Sequence, residues 1–240
     1  MATAHRLDFP SSRAERPFTQ AIEERRATMQ FDDTPVPVED LAAIVRAGLE
    51  APSGYNLQPW RFVIVRDPEQ RKRLREAARN QSKVEEAPVV IVACGDLQGW
   101  RNGDLEKMLH LAAEHHHGTP ESHERVRSNV TGILSSPPGN AMGVAPDWAV
   151  WINRHVMIAF TTMMWMAEVL GYNTAPMEGF FEDKVRAVLG IPEHVRVVAL
   201  LAIGRRKGPV KPYGGRFGPD RTCFADQWGK HLDFSPLVAS

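Results

Sequence analysis

An α+β fold, or an α/β sandwich with helices on both faces of a small sheet, is what this sequence predicts. Three observations lead there. Helical patterns open the chain ahead of any strand. Strand-like runs at 60–65, 88–94 and 195–204 then alternate with helical stretches of unequal length. No Pro- or Gly-rich linker divides the 240 residues into two self-sufficient halves, so one domain is expected.

Residues 1–16 read as a loose arm. A first helix is expected from Pro17 to about Met29, since Pro in the first turn loses no hydrogen bond. Pro35 and Pro37 break it. A second helix starts near Val38 and sets Leu41, Ile44, Val45, Gly48 and Leu49 on one face. Pro52 stops it. The loop "APSGYNLQP" follows, crowded with turn formers and amide side chains, and delivers the chain into a strand, Trp60–Val65.

Pro68 to Arg79 predicts a polar surface helix with Leu74 and Ala77 facing inward. The Val-rich run "PVVIVAC", 88–94, predicts a buried strand. Helical patterns return over 104–117 and 121–134, and 135–146 is a Pro/Gly-rich loop. A long helix is expected from Asp147 to Leu170, ended by Gly171. From Val156 to Met166 only Thr161 and Thr162 interrupt its apolar surface, so it should be buried on every side. Either a partner chain covers one face or it is a central core helix. "TAPMEGF" reads as a loop, Glu182–Leu189 as a short helix ended by Gly190, and 195–204 as a second buried strand. The tail is too rich in Gly and Pro for a compact element.

Lys plus Arg and Asp plus Glu balance at 29 each, so no global field draws the protein to nucleic acid or an anionic membrane. Any anion site must be local. Cys94 and Cys223 do not make a disulfide framework. The start lacks an apolar signal region and the longest apolar stretch, 156–167, is too short to span a bilayer. These features predict a soluble, cytoplasmic protein.

No phosphate-binding P-loop, no G-x-G-x-x-G, no G-x-S-x-G and no H-E-x-x-H pattern is present. His115, His116 and His117 point in different directions on a helix and cannot share one ion; His110, Glu114 and His117 share a face, where a solvated polar surface is the plainer reading. The pair Arg25–Arg26 is either solvated charge near a helix end or an anion contact. In 205–218 the basic residues suit a small phosphate better than a polyanion, because clustered aromatics are missing.

One ligand accounts for three pieces. Ser, Asn and Gln groups in 52–58 can hydrogen-bond the amide-like edge of a flat heterocycle. Arg25, Arg26, Lys83 and Arg216 can neutralise a phosphate. Gly179, without a Cβ, lets a flat ring approach its backbone N–H. A phosphorylated planar cofactor satisfies all three, and FMN fits that description.

"RRATMQF" followed by "PVPVEDLAAIVRAGLEAPSGYNLQPWRFVIV" resembles the opening of the nitroreductase family of FMN-dependent oxidoreductases. "KVEEAPVVIVAC", "GYNTAPMEGF" and "VRAVLGIPEHVRVVALLAIG" then follow in the family's order. The resemblance covers about residues 17–95 and 147–205; residues 97–146 look like a variable insertion that shapes substrate access, and 205–240 a loosely matched, extended tail.

The resemblance implies an intertwined homodimer of α+β subunits with a small central sheet flanked by helices and FMN at the subunit interface. The apolar long helix would then be the dimer's packing element. By motif position Arg25 and Arg26 would touch the phosphate and ribityl side, and Pro52, Ser53, Gly54 and Asn56 would come from the other subunit to line the ring. Asn80, Gln81 and Lys83 fall at the ribityl chain and pyrimidine edge. Pro176, Met177, Glu178 and Gly179 fall where a backbone N–H meets flavin N5, and Arg216, with Lys211 second, at the late phosphate contact. Ala27 and Met29 stand where the family has a hydroxyl and a basic residue, so backbone N–H groups or Arg216 would carry more of the phosphate. The implied activity is NADH- or NADPH-driven reduction of a nitroaromatic or quinone, with no side-chain nucleophile. The alternatives are a flavin-dependent dehydrogenase or reductive dehalogenase acting on one metabolite, and a flavin-binding protein without turnover.

Overall fold

The computed structural model describes residues 16–135 and 148–231, in two units, Met1–Val210 and Lys211–Ser240. The first unit carries α1 (Phe18–Glu24), α2 (Val38–Leu49), β1 (Trp60–Val65), α3 (Pro68–Ala77), α4 (Ser82–Glu86) and β2 (Val89–Asp96). It continues with α5 (Leu105–Glu114), α6 (Pro120–Ser135), α7 (Trp148–Val169), β3 (Asn173–Met177), α8 (Glu182–Leu189) and β4 (Val195–Gly204). The second unit holds α9 (Pro219–Thr222) and an isolated bridge between Phe224 and His231.

Four antiparallel strands lie in the order β1-β2-β4-β3. β2 and β4 are central, which is why they read as continuous Val/Ile/Leu runs: both their faces are covered. Side chains on one face, among them Ile91, Leu201 and Ile203, pack on α2 and α7; those on the other, Val90, Val92 and Leu200, pack with Leu74, Val84 and Val185 of α3, α4 and α8. The register jumps at Val198: Ala93 faces Ala199, but Cys94 faces Val197. This bulge switches the phase of β4, so Val195 and Val197 face the same layer as Leu200 and Ala202.

α2 crosses α7 at Gly48. A Cβ there would stand 2.5 Å from Met163 Cγ and 3.2 Å from the Ala159 carbonyl, so the close approach depends on glycine. Beside this crossing the Tyr172 hydroxyl donates to the buried carboxylate of Asp40, tying the end of α7 to α2. α7 stops where expected, with Gly171 at φ 83°. Gly171 N–H donates to Glu168 O and Tyr172 N–H to Ala167 O, which satisfies its last carbonyls. At the start of α3, Asp67 accepts from Gln70 N–H and Pro68 follows it.

Several expectations need correction. The first helix ends at Glu24, not near Met29, because the chain turns extended at Arg25 and Thr28 N–H bonds Thr174 O instead of a helical carbonyl. α3 ends at Ala77, since Arg79 and Asn80 take left-handed backbone angles. "TAPMEGF" is not all loop: Asn173–Met177 forms an edge strand, where Pro176 is tolerated because no neighbour needs its N–H. For α7 it is the central-core alternative that is corrected: in the single chain Ile158 remains 40% exposed, and Met157, Thr161, Thr162 and Trp165 are half-buried.

The segment 97–135 opens with a π turn, Trp100–Asp104, followed by α5 and α6. These pack around their own cluster of Leu105, Met108, Leu109, Val130 and Leu134, joined by Leu57. Arg61 fastens the segment to the sheet by pairing with Asp104 and, at 3.1 Å, with Asp96. The 136–146 part of the expected loop lies outside the described residues. Among the described residues no helix is long and apolar enough to cross a membrane.

Candidate functional site

The extended run after α1 lies beside β3, held by the Thr28–Thr174 hydrogen bond of 2.9 Å and by a bridge from Phe31 to Arg206. Arg25 opens this run. Its guanidinium lies over the Trp165 ring, 5.8 Å from the centroid, and its Nη1 is buried with no hydrogen-bond partner among the described residues. An orphaned cationic donor costs a buried protein free energy, and an anionic acceptor would relieve it. Glu168, 1% exposed, accepts from the Thr174 hydroxyl at 2.6 Å. Burial pushes its carboxyl above the usual range, opposed by that hydrogen bond and by the charges of Arg25 and Arg16. Arg26 is turned elsewhere: its Nη1 donates to Glu23 O and Arg25 O, so it caps the carbonyl end of α1. Ala27 is half-buried and Met29 exposed.

β3 leads directly into Glu178 and Gly179, both exposed. The Met177 side chain faces the core, and Pro176 is half-buried. Gln81 Nε2 donates to Gly179 O at 2.8 Å, fixing the orientation of that peptide. Among the described residues no acceptor meets the Gly179 N–H. A Cβ at Gly179 would meet only Gln81 Nε2, at 3.6 Å. The backbone here is open to a flat ligand. Asn80 is exposed at φ 55° and Lys83 half-buried on α4.

The loop 52–58 is a self-braced unit. Asn56 N–H donates to Ser53 O, Leu57 N–H to Gly54 O, and Gln58 N–H to Ser53 Oγ at 3.0 Å. Gln58 also reaches the Asn56 side chain, so part of the amide chemistry expected for a ligand is spent inside the loop. Tyr55, Asn56 and Gln58 all have φ near 50°, a conformation that costs non-glycine residues energy and persists only where the surroundings enforce it. Pro52 is exposed. A Cβ at Gly54 would stand 2.7 Å from Trp151 Cζ2 and 3.3 Å from His155 Nε2, so the loop rests on the first half of α7. The His155 ring lies against Trp151, tilted by 57° with centroids 4.2 Å apart, and its Nδ1 pairs with Trp151 O at 2.8 Å. Burial, chiefly, holds its pKa below the usual value.

The two halves do not converge within one chain. Loop 52–56 sits at Trp151 and His155, whereas Arg25 sits at Trp165. His155 and Trp165 are about 15 Å apart along the helix axis at 1.5 Å per residue. Arg216 belongs to the second unit, where its Nη1 donates to Gly215 O and its guanidinium lies over Tyr213. Lys211, in the same unit, is exposed.

Sequence reasoning missed Trp165 and Glu168, which surround Arg25, and the Trp151–His155 pair beneath the loop. The i, i+4 spacing of Trp151 and His155, and a carboxylate in an apolar helix, were the available signals. An apolar groove of about 410 Å3 runs between β1, α2 and α5, past Leu49, Phe62 and Leu111; of the residues expected at the cofactor, Gln58 alone lines it. Cys94 offers no nucleophile, since burial pushes its thiol up to about 12. The three histidines end α5 rather than lie on it: His115 caps the helix and His116 is left-handed. Among the described residues no cluster suits a metal ion.

Residues 22–205 match the family model described as the nitroreductase family. An NADH dehydrogenase of Thermus thermophilus is 38% identical over 181 residues, 75% of this chain and 82% of that protein. Protein DrgA of Synechocystis is 29% identical over 187 residues, 78% of this chain and 82% of its own length. A chain from Exiguobacterium sibiricum, solved in complex with FMN, has the same fold, with a TM-score of 0.74 and 24% identity over 87% of this chain and 96% of that one.

Proposed function

Because the chain belongs to the nitroreductase family, we propose that it is an FMN-dependent NAD(P)H oxidoreductase that works as a homodimer and reduces a flat electrophile, a nitroaromatic or a quinone. The observation that carries this reading is the buried Nη1 of Arg25, without a hydrogen-bond partner among the described residues and set in a run that lies beside β3, the strand leading to Gly179. Bound FMN would supply two-electron redox chemistry, taking hydride from the nicotinamide and passing it to the electrophile. Arg25 holds the phosphate end. Gln81 fixes the Gly179 peptide, leaving its N–H for the ring edge. The strained 52–56 loop of a second copy walls the ring, with Trp151 and His155 behind it. The separation of the two halves along α7 supports their coming from different subunits.

Arg25→Ala removes a charged partner of the phosphate. A hydrogen bond to a charged group is worth roughly 1.5–3 kcal/mol, so the FMN dissociation constant is expected to rise at least about tenfold. Titration of the apoprotein followed by flavin fluorescence measures it. An unchanged constant would return Arg25 to solvated charge.

With one edge and one face of the ring enclosed by the protein, donor and acceptor compete for the other face. Double-reciprocal plots at several fixed acceptor concentrations are therefore expected to be parallel. Intersecting lines would mean a second productive binding face.

A further inference from the structure

Two residues past Gly179, Phe181 carries two cations on its ring. Arg79 Cζ lies 5.3 Å from the ring centroid and Lys184 Nζ 4.6 Å, so the two charges are within about 10 Å of each other. All three side chains are exposed. Among the described residues neither cation is in an ion pair. The nearest carboxylate in sequence, Glu182, is committed elsewhere: it accepts from Arg196 at 2.8 and 3.1 Å and from Val197 N–H at 3.1 Å. Asp183 and Glu178 are exposed and bridge to neither cation. Among the described residues neither cation is neutralised by a direct carboxylate contact.

The cluster is also held in a fixed relation to the candidate cofactor edge. Arg79 and Asn80 are consecutive non-glycine residues at φ 55°, a strained turn that the surroundings must enforce. Asn80 N–H bonds Arg75 O, and Gln81 N–H bonds Ala78 O. Two further hydrogen bonds lace the turn to the Gly179 segment: Phe181 N–H to Ala77 O at 2.9 Å, and Gln81 Nε2 to Gly179 O at 2.8 Å. The turn that orients the Gly179 peptide is thus the one that aims Arg79 at Phe181.

We infer that Arg79 and Lys184, flanking Phe181, form a phosphate subsite that takes the ribose 2′-phosphate of NADPH. The inference rests on the proposed function. A nicotinamide presented at the Gly179 edge must trail its adenosine half out over the surface, and an exposed pair of cations two residues from that edge suits a tail rather than a reacting group. NADPH differs from NADH only by a phosphate that carries close to two negative charges. A carboxylate would accept from a bare ribose hydroxyl, whereas Arg accommodates a 2′-phosphate. Arg offers the fork that matches phosphate oxygens, and Lys a point charge beside it.

The test compares two probes that differ by that phosphate alone. By calorimetry, 2′,5′-adenosine bisphosphate is expected to bind at least about tenfold more tightly than adenosine 5′-monophosphate. Arg79→Ala and Lys184→Ala should each reduce that preference, and the NADPH:NADH ratio of kcat/KM, by about tenfold. Arg79→Lys should recover part of it. Equal binding of the two probes, or a ratio unmoved by both alanine variants, would overturn the subsite while leaving the oxidoreductase reading intact wherever NADH still reduces the acceptor. Equal losses with both donors, confined to anionic acceptors, would also overturn it by assigning the cations to the acceptor. Probe binding needs no flavin, so a colourless protein that takes up no FMN defeats the proposed function and still reports on the subsite.

Discussion

Leu201→Ala is expected to destabilise the protein by about 3 kcal/mol, within the roughly 2–5 kcal/mol that large-to-small core changes cost. Leu201 lies in central strand β4, fully buried, with Ile91 of β2 on one side and Pro176 of β3 on the other, and belongs to the cluster that α7 covers. Losing the isobutyl group removes its contacts and leaves a void that strands paired on both sides cannot close. Val38→Ala is the control: at 58% exposure it should shift stability by no more than about 0.5 kcal/mol. Urea unfolding of flavin-free protein at one fixed concentration measures both, since bound cofactor or a changed monomer–dimer balance would move the midpoint by mass action. A loss below about 1 kcal/mol at Leu201 with an unchanged denaturant slope would mean that the α7 layer does not seal this face.

Elements with strong local signals were legible in the sequence, and those fixed by distant partners were not. β1, α8 and β4 fall on their expected residues because burial on both faces, or a glycine stop, writes itself into local composition. β3 escaped notice because an edge strand needs neither a continuous apolar run nor every N–H, and Pro176 reads as a breaker until Leu201 is seen opposite it. The first helix is shorter than its sequence predicts for a related reason: Thr28, which follows its early end, is paired with Thr174, 146 positions away. Motif order singled out Arg25, Gln81 and Gly179 as candidates. It could not show that the Arg26 guanidinium caps α1, or that Gln58 turns back into its own loop. Such choices are made by hydrogen-bond geometry that spacing does not encode.

Ile158→Asp is expected to give a folded, colourless monomer without reductase activity. α7 leaves Ile158 40% exposed, with Met157, Thr161 and Trp165 half-buried. Phe18 of α1, 53% exposed, packs edge-on against Trp165 and adds to the same apolar surface. A second copy seated on this face would bury it. Its 52–56 loop could then reach the Arg25–Gly179 half that the chain's own loop, resting on Trp151 and His155, does not meet. In a two-fold interface each substitution is made twice, once per subunit. A buried carboxylate without a partner costs roughly 3–5 kcal/mol, so the dimer dissociation constant should rise at least about a hundredfold, at 1.4 kcal/mol per factor of ten. The isolated subunit should tolerate the change, because its position 158 faces solvent, and an unaltered far-ultraviolet circular dichroism spectrum would confirm that. Sedimentation velocity and the flavin absorbance of the purified protein give the result. Ile158→Ala, which deletes contacts without adding charge, should weaken association less and keep some of the colour. A variant that stays dimeric and yellow would place the second copy on another face, and the two halves of the cofactor site would then have to be joined by a different geometry.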